Sequence, residues 1–281
     1  MSTSPERVLA EQVVVILVEP LHPGNVGAAA RAMKNFGLSR LVLVAPPAYD
    51  PEQARWMAPN CDDLLASVRI VATLDEALEG VHRVYASTAR HRKLGQPVFE
   101  PDDIAHNVFD DAERTEGFTS AILFGREDFG LSSADVLRCQ AILRIPTPEH
   151  ASLNLGQAVL LVGQRLFEAS RQRGASATGR TLGGSRAQRS TRSARPRGHR
   201  EGLADARVTE PAVDDLIEVL DRVGYLRGVQ PDKVRLTARQ AFQRAHVSVR
   251  HVEALRGMLR KIGYALDHPD KDLKAPRKKG S

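Results

Sequence analysis

The stretch VVVILVEPLHPGNVGAAARAMKNFGLSRLVLVA, residues 13–45, decides the fold class of this chain. Residues 13–19 form a nearly unbroken run of β-branched and aliphatic side chains, which is typical of a strand buried on both faces of a parallel sheet. Residues 24–37 follow with apolar side chains at a helical period, and Gly37 is placed to end that helix. Residues 41–45 predict a second strand, so the stretch forms one strand–helix–strand unit.

The same alternation continues to about residue 172. Strand patterns follow at residues 69–72, 83–87, 120–124 and 141–145, and helix patterns at residues 75–79, 132–140 and 153–172. Strands that alternate with helices predict a mostly parallel sheet covered by helices. The sequence therefore predicts an α/β domain over residues 1–172.

The remainder of the chain has a different composition. Residues 173–208 are rich in Gly, Ser and Arg and poor in apolar side chains, which is typical of a flexible linker. Helical periodicity returns in residues 209–266, with Thr209 expected as the N-cap and Pro211 in the first turn. Residues 267–281 are predicted to be a disordered basic tail.

Two helices of this C-terminal part have clear apolar faces. The first carries Val213, Leu216, Ile217, Leu220 and Val223. The last, after Ser248, is expected to place Val252, Leu255, Leu259 and Ile262 on one face, and a further helix fits residues 234–244 between them. We therefore expect a small helical bundle after the linker.

The net charge of +6 is distributed unevenly along the chain. Residues 1–168 carry −7, residues 169–200 carry +9 without a single acid, and residues 201–281 carry +4. Basic segments neutralise phosphates, so we expect an anionic, phosphate-bearing partner to contact the second half of the chain. Of the 40 basic residues 32 are arginine, which suits bidentate phosphate contacts, although a GC-rich genome produces the same bias.

The composition also argues against several classes of protein and site. No apolar run approaches the ~20 residues that cross a bilayer, and the first residues lack the layout of a signal peptide. Cys61 and Cys139 lie outside any CxxC pattern, and the nine histidines show no HExxH spacing, so neither a disulfide framework nor a metal site is predicted. We expect a reduced cytoplasmic protein with no membrane partner.

Polar and glycine residues follow four of the predicted strands, at the edge where open α/β sheets bind ligands. In residues 22–37, Gly24 and Gly27 allow a tight turn before a helix N-terminus that faces an anion, and Arg31 lies one turn farther on. The simpler alternatives are that the glycines serve turn geometry alone and that Arg31 is an ordinary solvated side chain.

Three further groups complete this edge. In ILFGREDFGLS, residues 122–132, Gly125 permits close approach of a flat ligand, and three charged residues share one loop, where a local ion pair is the alternative. In the stretch 145–167, Ser152 and Asn154 lie at a helix start, where capping is the alternative. With ASTAR, residues 86–90, these groups suit holding a cofactor and orienting a substrate better than hydrolysis.

Three motifs resemble, in order and spacing, the signatures of the SPOUT superfamily in its SpoU/TrmH-like branch of RNA ribose 2′-O-methyltransferases: NVGAAARAMKNFG, LFGREDFGLS and IPTPEHASLNLGQAV. Within that branch the sequence resembles the TrmJ-type tRNA methyltransferases. Two C-terminal segments, DDLIEVLDRVGYL and VEALRGMLRKI, look like the helical extension of that subfamily.

The resemblance implies an α/β fold with a deep C-terminal trefoil knot, S-adenosylmethionine (SAM) as cofactor, and a homodimer formed through the knot region. It further implies methylation of nucleotide 32, a cytidine or uridine, in the anticodon loop of tRNA, with no DNA partner. Matched by position, the implied catalytic residues are Arg31, Asn25, Glu127 and Asn154. The implied SAM-binding residues are Ser87, Thr88, Ala89, Gly125, Ile145, Ser152, Leu153 and Asn154.

The implied reaction is attack of a ribose 2′-hydroxyl on the SAM methyl group. Because arginine is a poor proton acceptor, our hypothesis is that Arg31 donates a hydrogen bond to the developing alkoxide while a phosphate or Glu127 takes the proton. The alternatives are a ribosomal RNA 2′-O-methyltransferase with the same site and a non-catalytic RNA-binding protein on the same fold. A nucleotide-binding regulator is disfavoured because neither phosphate-loop signature is present.

Overall fold

The structure is a computed structural model and describes residues 4–90, 96–148, 152–177, 204–244 and 247–268. In these ranges the strands are β1 Val13–Val18, β2 Arg40–Val44, β3 Arg69–Val71, β4 Arg83–Ser87, β5 Val98–Phe99, β6 Ser120–Phe124 and β7 Ala141–Leu143. The helices are α1 Pro5–Gln12, α2 Pro23–Asn35, α3 Pro51–Trp56, α4 Asp62–Ala66, α5 Leu74–Ala77, α6 Pro101–Arg114, α7 Ser133–Leu137, α8 Leu155–Ala177, α9 Ala206–Arg222, α10 Pro231–Arg244 and α11 Val249–Asp267.

The strands form one sheet in the order β3-β2-β1-β6-β4-β7-β5, and every neighbouring pair is parallel. Strand β1 lies inside the sheet, where Val15 pairs with Leu41 of β2 and with Ile122 of β6. All six residues of β1 are buried, as expected when helices cover both faces. The predicted parallel α/β architecture is confirmed, and the trefoil knot stays a prediction.

Alternate residues of β1 belong to two hydrophobic cores, because side chains alternate across a strand. Val13, Val15 and Leu17 belong to the larger core, which also receives residues of α1, α2, α6 and α8. Val14 and Ile16 belong to the smaller core, to which α5 and α7 contribute. The long helices on the first face therefore bury most of the apolar surface.

Four helices and one strand of the structure were not predicted from the sequence, namely α1, α3, α4, α6 and β5. Helix α6 is the clearest omission, since Ile104, Val108 and Phe109 of one face are buried. Its start also carries a capping box between Glu100 and Asp103, which was visible in the sequence.

The predicted linker, residues 173–208, was wrong at both ends. Helix α8 continues to Ala177, and α9 begins at Ala206. Asp205 rather than Thr209 is the N-cap, because its carboxylate accepts a hydrogen bond from the Val208 N–H at 3.1 Å. Pro211 consequently lies inside the helix rather than in its first turn. The central part of the predicted linker, residues 178–203, lies outside the described residues, as does the predicted tail from residue 269.

Helices α9 and α10 and the turn between them share a core of Val213, Ile217, Leu226 and Ala238. In α11, Val252 and Leu259 are buried as predicted, but Ile262 is 45% exposed. Ile262 lies at the margin of this face, because ten helical residues after Val252 place its side chain about 80° from that of Val252 around the helix.

These helices are fixed to the α/β domain by a network that we call the Arg239 clamp, formed by Arg239, Glu210, Arg138 and Leu137. The guanidinium of Arg239 donates to both carboxylate oxygens of Glu210, at 2.7 and 2.6 Å, and to the carbonyl of Leu137 at the end of α7, at 2.6 Å. Arg138 donates to the same carboxylate at 2.9 Å. Helices α9 and α10 are therefore held against the α7 side of the sheet.

Among the helices in the described part of the chain, none combines the length and the apolar character that crossing a bilayer requires.

Candidate active site

The four motif groups meet at the carboxyl edge of the sheet. Strands β1, β6, β4 and β7 are consecutive in the strand order, so the loops that follow them are neighbours. The register places Ser87 beside Phe124 of β6 and beside Leu143 of β7. The crossover connections of the fold therefore bring together residues that are far apart in the sequence.

A cavity of about 310 Å³ lies at this edge. It contains seven of the residues predicted to bind the cofactor: Ser87, Thr88, Ala89, Gly125, Ile145, Ser152 and Leu153. The lining also includes residues that the sequence analysis did not assign to the cofactor, namely Arg90, Phe124, Arg126, Glu127, Asp128, Phe129, Gly130, Thr147, Leu155 and Ala158. Most of these residues are sequence neighbours of the predicted ones, and this proximity in the sequence is the signal by which they could have been found. Asn154 is not among the lining residues.

Three of the predicted catalytic residues form one hydrogen-bonded chain. The Glu127 carboxylate accepts from the Asn25 side-chain amide at 2.8 Å, and the Asn25 carbonyl oxygen accepts from the Asn154 side-chain amide at 3.0 Å. Asn154 in turn accepts from the Gly156 N–H at 2.9 Å, as an N-cap of α8 does. This chain links the loop after β6 with the starts of α2 and α8.

Glu127 also binds the backbone that enters α2. Its carboxylate accepts from the N–H groups of Leu21 at 2.9 Å and His22 at 3.3 Å. Partial burial raises the pKa of Glu127, but the hydrogen bonds from Leu21, Asn25 and His22 stabilise the ionised form, and the net effect lowers the pKa. Glu127 is thus held as a carboxylate and is an unfavourable proton acceptor.

Arg126 forms the local ion pair that was the alternative for this loop. Its guanidinium binds both oxygens of Asp128 at 3.0 Å and one oxygen of Glu19 at 3.1 Å. It also lies 5.5 Å from the centre of the Phe129 ring. The hydrogen bond from Arg126 is the main cause of the lowered pKa of Asp128. The ion pairs of Arg126 therefore hold the conformation of the loop after β6 and tie this loop to Glu19, which follows β1.

Two glycines of the motifs lie against backbone atoms of neighbouring segments. At Gly125, which lines the cavity, a Cβ atom would lie 2.1 Å from the Leu131 nitrogen, so this glycine also allows the loop to close on itself. At Gly27, which is inside α2 and not in a turn, a Cβ atom would lie 2.0 Å from the Ala54 carbonyl oxygen. Gly27 therefore permits close packing of α2 against α3.

The structure does not bring Arg31 into contact with the other predicted catalytic residues. Arg31 follows Asn25 by six residues, which is about 9 Å along the axis of α2, and its side chain is exposed. It does not line the cavity, and within the described ranges it has neither an ion pair nor a hydrogen bond through its guanidinium. Burial raises the pKa of the Cys61 thiol. The positive charge of Arg31 acts in the opposite direction and lowers that pKa, but burial is the larger effect.

The sequence model of the SpoU rRNA methylase family matches residues 12–164, which is more than half of the chain. This range contains the sheet edge, the residues that line the cavity and the motif groups, the last of them up to residue 164.

Curated relatives extend the similarity. The chain is 32% identical over 258 residues to the tRNA (cytidine/uridine-2′-O-)-methyltransferase TrmJ of Yersinia enterocolitica, covering 88% of this chain and 90% of that protein. It is 41% identical over 152 residues to the tRNA (cytidine/uridine/adenosine-2′-O-)-methyltransferase TrmJ of Pseudomonas aeruginosa, covering 54% of this chain and 58% of that protein.

A solved structure has a similar fold. The crystal structure of TrmJ from Z. mobilis ZM4 superimposes with a TM-score of 0.68 at 30% identity, covering 89% of this chain and 98% of that one. The chain therefore belongs to the SpoU methylase family and is a methyltransferase whose methyl donor is S-adenosylmethionine.

Proposed function

We propose that the chain is a SAM-dependent tRNA 2′-O-ribose methyltransferase that modifies nucleotide 32, a cytidine or uridine, in the anticodon loop. The names of the relatives that match along most of the chain support tRNA and the 2′-hydroxyl as target. The observation that carries the proposal is the cavity at the sheet edge, beside the chain of Glu127, Asn25 and Asn154. Because tRNA is a cytoplasmic molecule in bacteria, we place the reaction in the cytoplasm.

The cavity suits the chemistry of SAM. Ile145, Leu153 and Ala158 offer apolar surface for an adenine ring, and Ser87 and Thr88 offer hydroxyl groups for polar atoms. When bound, SAM supplies an electrophilic methyl group on a sulfonium. We assign the seven predicted lining residues to its binding and give Asn154 a positioning role, since it ties the start of α8 to Asn25.

Arg31 is the group that we propose stabilises the 2′-oxygen as its proton leaves. A guanidinium donates hydrogen bonds and stays charged at neutral pH, so Arg31 serves as donor and not as base. Since the pKa of Glu127 is lowered and its carboxylate accepts three hydrogen bonds, we assign the proton to a phosphate of the RNA instead.

The position of Arg31 outside the cavity lining supports a homodimer. Within one chain the proposed donor does not line the cavity, so a second copy can supply what the site lacks. Leu160 and Leu161 of α8 are exposed apolar side chains next to the cavity residues Leu155 and Ala158, and they fit a subunit contact. We therefore propose the homodimer through the region of α8, together with the knot that the resemblance implies.

One experiment tests the proposal. The purified protein is incubated with labelled SAM and unmodified transcripts of tRNA and of ribosomal RNA, and the nuclease-resistant 2′-O-methylated position is mapped. Methylation at nucleotide 32 of tRNA is expected, whereas methylation of ribosomal RNA alone would favour the second candidate, which the name of the matching family supports.

Variants of Arg31 test its role in the same assay. Arg31→Ala should abolish most activity, and Arg31→Lys should retain little of it if the planar donor is needed. Arg7→Lys, in an exposed helical arginine of α1, is the matched control. Near-full activity of Arg31→Lys would show that a simple positive charge suffices.

A further inference from the structure

The end of α3 presents two exposed apolar side chains. Trp56 is 79% exposed and Met57 is 52% exposed, and Trp56 is the sole tryptophan of the chain. Tryptophan is highly buried on average in folded proteins, so this degree of exposure indicates a surface that binds something.

Close packing fixes these side chains beside the site. Ala54 of α3 touches Gly27 of α2 through its backbone, which leaves no room for adjustment between the two helices. One turn farther on, the Met57 Cγ lies 3.5 Å from the position of a Cβ on Gly24. Gly24 stands between His22 and Asn25, the two residues of the α2 start that donate to Glu127.

The topology places α3 and the cavity on opposite sides of this helix start. Helix α3 follows β2, which neighbours β1 on one side, whereas the cavity lies over β6, β4 and β7 on the other. An RNA segment that presents a ribose to the cavity from over the start of α2 therefore extends toward Trp56.

The chemistry of the surroundings favours RNA over a protein partner. Arg31 lies on the next turn of α2 after Gly27, exposed and without an ion pair among the described residues. Helix α3, which carries Trp56, packs against α2, which carries Arg31, so an exposed indole and an exposed guanidinium lie on adjoining helices. Side chains of these two kinds are the ones that contact unpaired bases and the backbone of RNA. A side chain of this kind buries only about 150–250 Å², far below the ~800 Å² per partner of a stable protein interface.

We propose that Trp56, supported by Met57, stacks on an unpaired base of the substrate RNA and so selects single-stranded loops. The inference rests on the proposed function, because it takes an RNA loop as the substrate. A duplex hides the faces of its bases and cannot make this contact.

Tryptophan fluorescence tests the contact directly. The full-length protein is titrated, without methyl donor, with an unmodified anticodon stem-loop, and binding is followed in parallel by filter retention. Quenching with the same midpoint as binding is expected, and a duplex of equal length should bind without it. Binding of the stem-loop without quenching, or equal quenching by the duplex, overturns the proposal.

Variants provide the second readout. Trp56→Ala should raise the KM for RNA about tenfold with a smaller change in kcat, and Trp56→Phe should stay near the parent value. Ile70→Ala, which removes an exposed apolar side chain from β3, is the control and should leave the KM unchanged. A Trp56→Ala variant that behaves like Ile70→Ala, or that becomes monomeric, overturns the proposal.

The two proposals can fail separately. If the parent protein methylates RNA but Trp56 affects neither fluorescence nor KM, only the stacking proposal is wrong. If no RNA binds or is methylated, the proposed function is wrong and the stacking proposal with it.

Discussion

At the scale of single residues, the Glu127 carboxylate has a structural role in the site, because it accepts hydrogen bonds that position α2. Glu127 accepts from two backbone N–H groups that precede α2 and from Asn25 within it. A carboxylate near a helix N-terminus is also favoured by the helix dipole. Glu127 therefore fixes the position of α2, which carries both Asn25 and Arg31.

The lowered pKa of Glu127 predicts a pH dependence of stability. A depressed pKa in the folded state adds stability above the unfolded pKa of about 4.3, and this stability is lost as the pH falls through the folded value. Glu127→Gln should therefore weaken the protein at pH 7 by about 1 kcal/mol and flatten the loss of stability below about pH 5. Urea denaturation at a series of pH values measures both effects.

The control for this prediction is Glu116→Gln, since Glu116 is exposed in a turn. It removes an exposed charge and should change the unfolding free energy at pH 7 by less than about 0.5 kcal/mol. Parent-like curves for Glu127→Gln would show that the carboxylate is not bound as described.

Two glycine substitutions should have opposite effects. Gly125→Ala forces its Cβ into the backbone of Gly130 and Leu131 and should cost about 3 kcal/mol of unfolding free energy, with weakened SAM binding. Gly257→Ala places a Cβ in open space within α11 and should add about 0.5–1 kcal/mol. Denaturation curves and SAM calorimetry separate the two, and a tolerated Gly125→Ala would contradict the close packing of the loop.

At the scale of secondary-structure elements, the Arg239 clamp decides how the C-terminal helices are held. The side chain of Arg239 is 6% exposed and that of Glu210 is 21% exposed. A buried ion pair adds little net stability, but losing one partner leaves an uncompensated charge. The clamp therefore sets the docking of the helices more than it strengthens them.

Removing the carboxylate should be costly. Glu210→Ala should lower stability by about 3–5 kcal/mol and expose the C-terminal helices to proteolysis. Asp62→Ala, which breaks the exposed pair with Arg55, is the control and should change stability by less than about 1 kcal/mol. Glu210→Leu combined with Arg239→Met should recover much of the loss, and equal losses in Glu210→Ala and Asp62→Ala would contradict a buried clamp.

The same scale shows what sequence patterns can predict. The strands at the centre of the sheet were predictable because burial on both faces leaves a continuous apolar run, as in β1. Short elements such as α4 and β5 were not predictable, because a segment of two to five residues is too short to show a periodic pattern of apolar side chains. The members of the site followed from the ends of the strands, whereas the roles of Gly125 and Glu127 depended on atoms that only the fold brings near.

At the scale of the whole molecule, the basic residues that we expect to bind RNA and the residues of the proposed methyl-transfer site lie mostly in different parts of the chain. The α/β half carries the negative net charge, and seven of the arginines of the basic segment fall within residues 178–203. Arg173, by contrast, pairs with Asp110 at 2.6 Å and is thus not free to bind RNA. We expect phosphate contacts to come mainly from the second half.

Deleting residues 178–203 should weaken tRNA binding and flatten its salt dependence, because fewer counterions are released. A Gly/Ser segment of equal length is the matched control, since it keeps the spacing and removes the charge. Filter binding across a range of salt concentrations measures the slope. A slope that neither change alters would show that these arginines only connect the two parts.

The two outermost strands of the sheet are short, with three residues in β3 and two in β5. An edge strand offers unpaired N–H and C=O groups on which another chain can build a continuous sheet, and here that template ends after a few residues. The long, strongly apolar strands lie inside the order, with neighbours on both sides. The folded protein should therefore resist aggregation through the edges of its sheet. Ordered self-association should instead occur through the exposed faces of its helices.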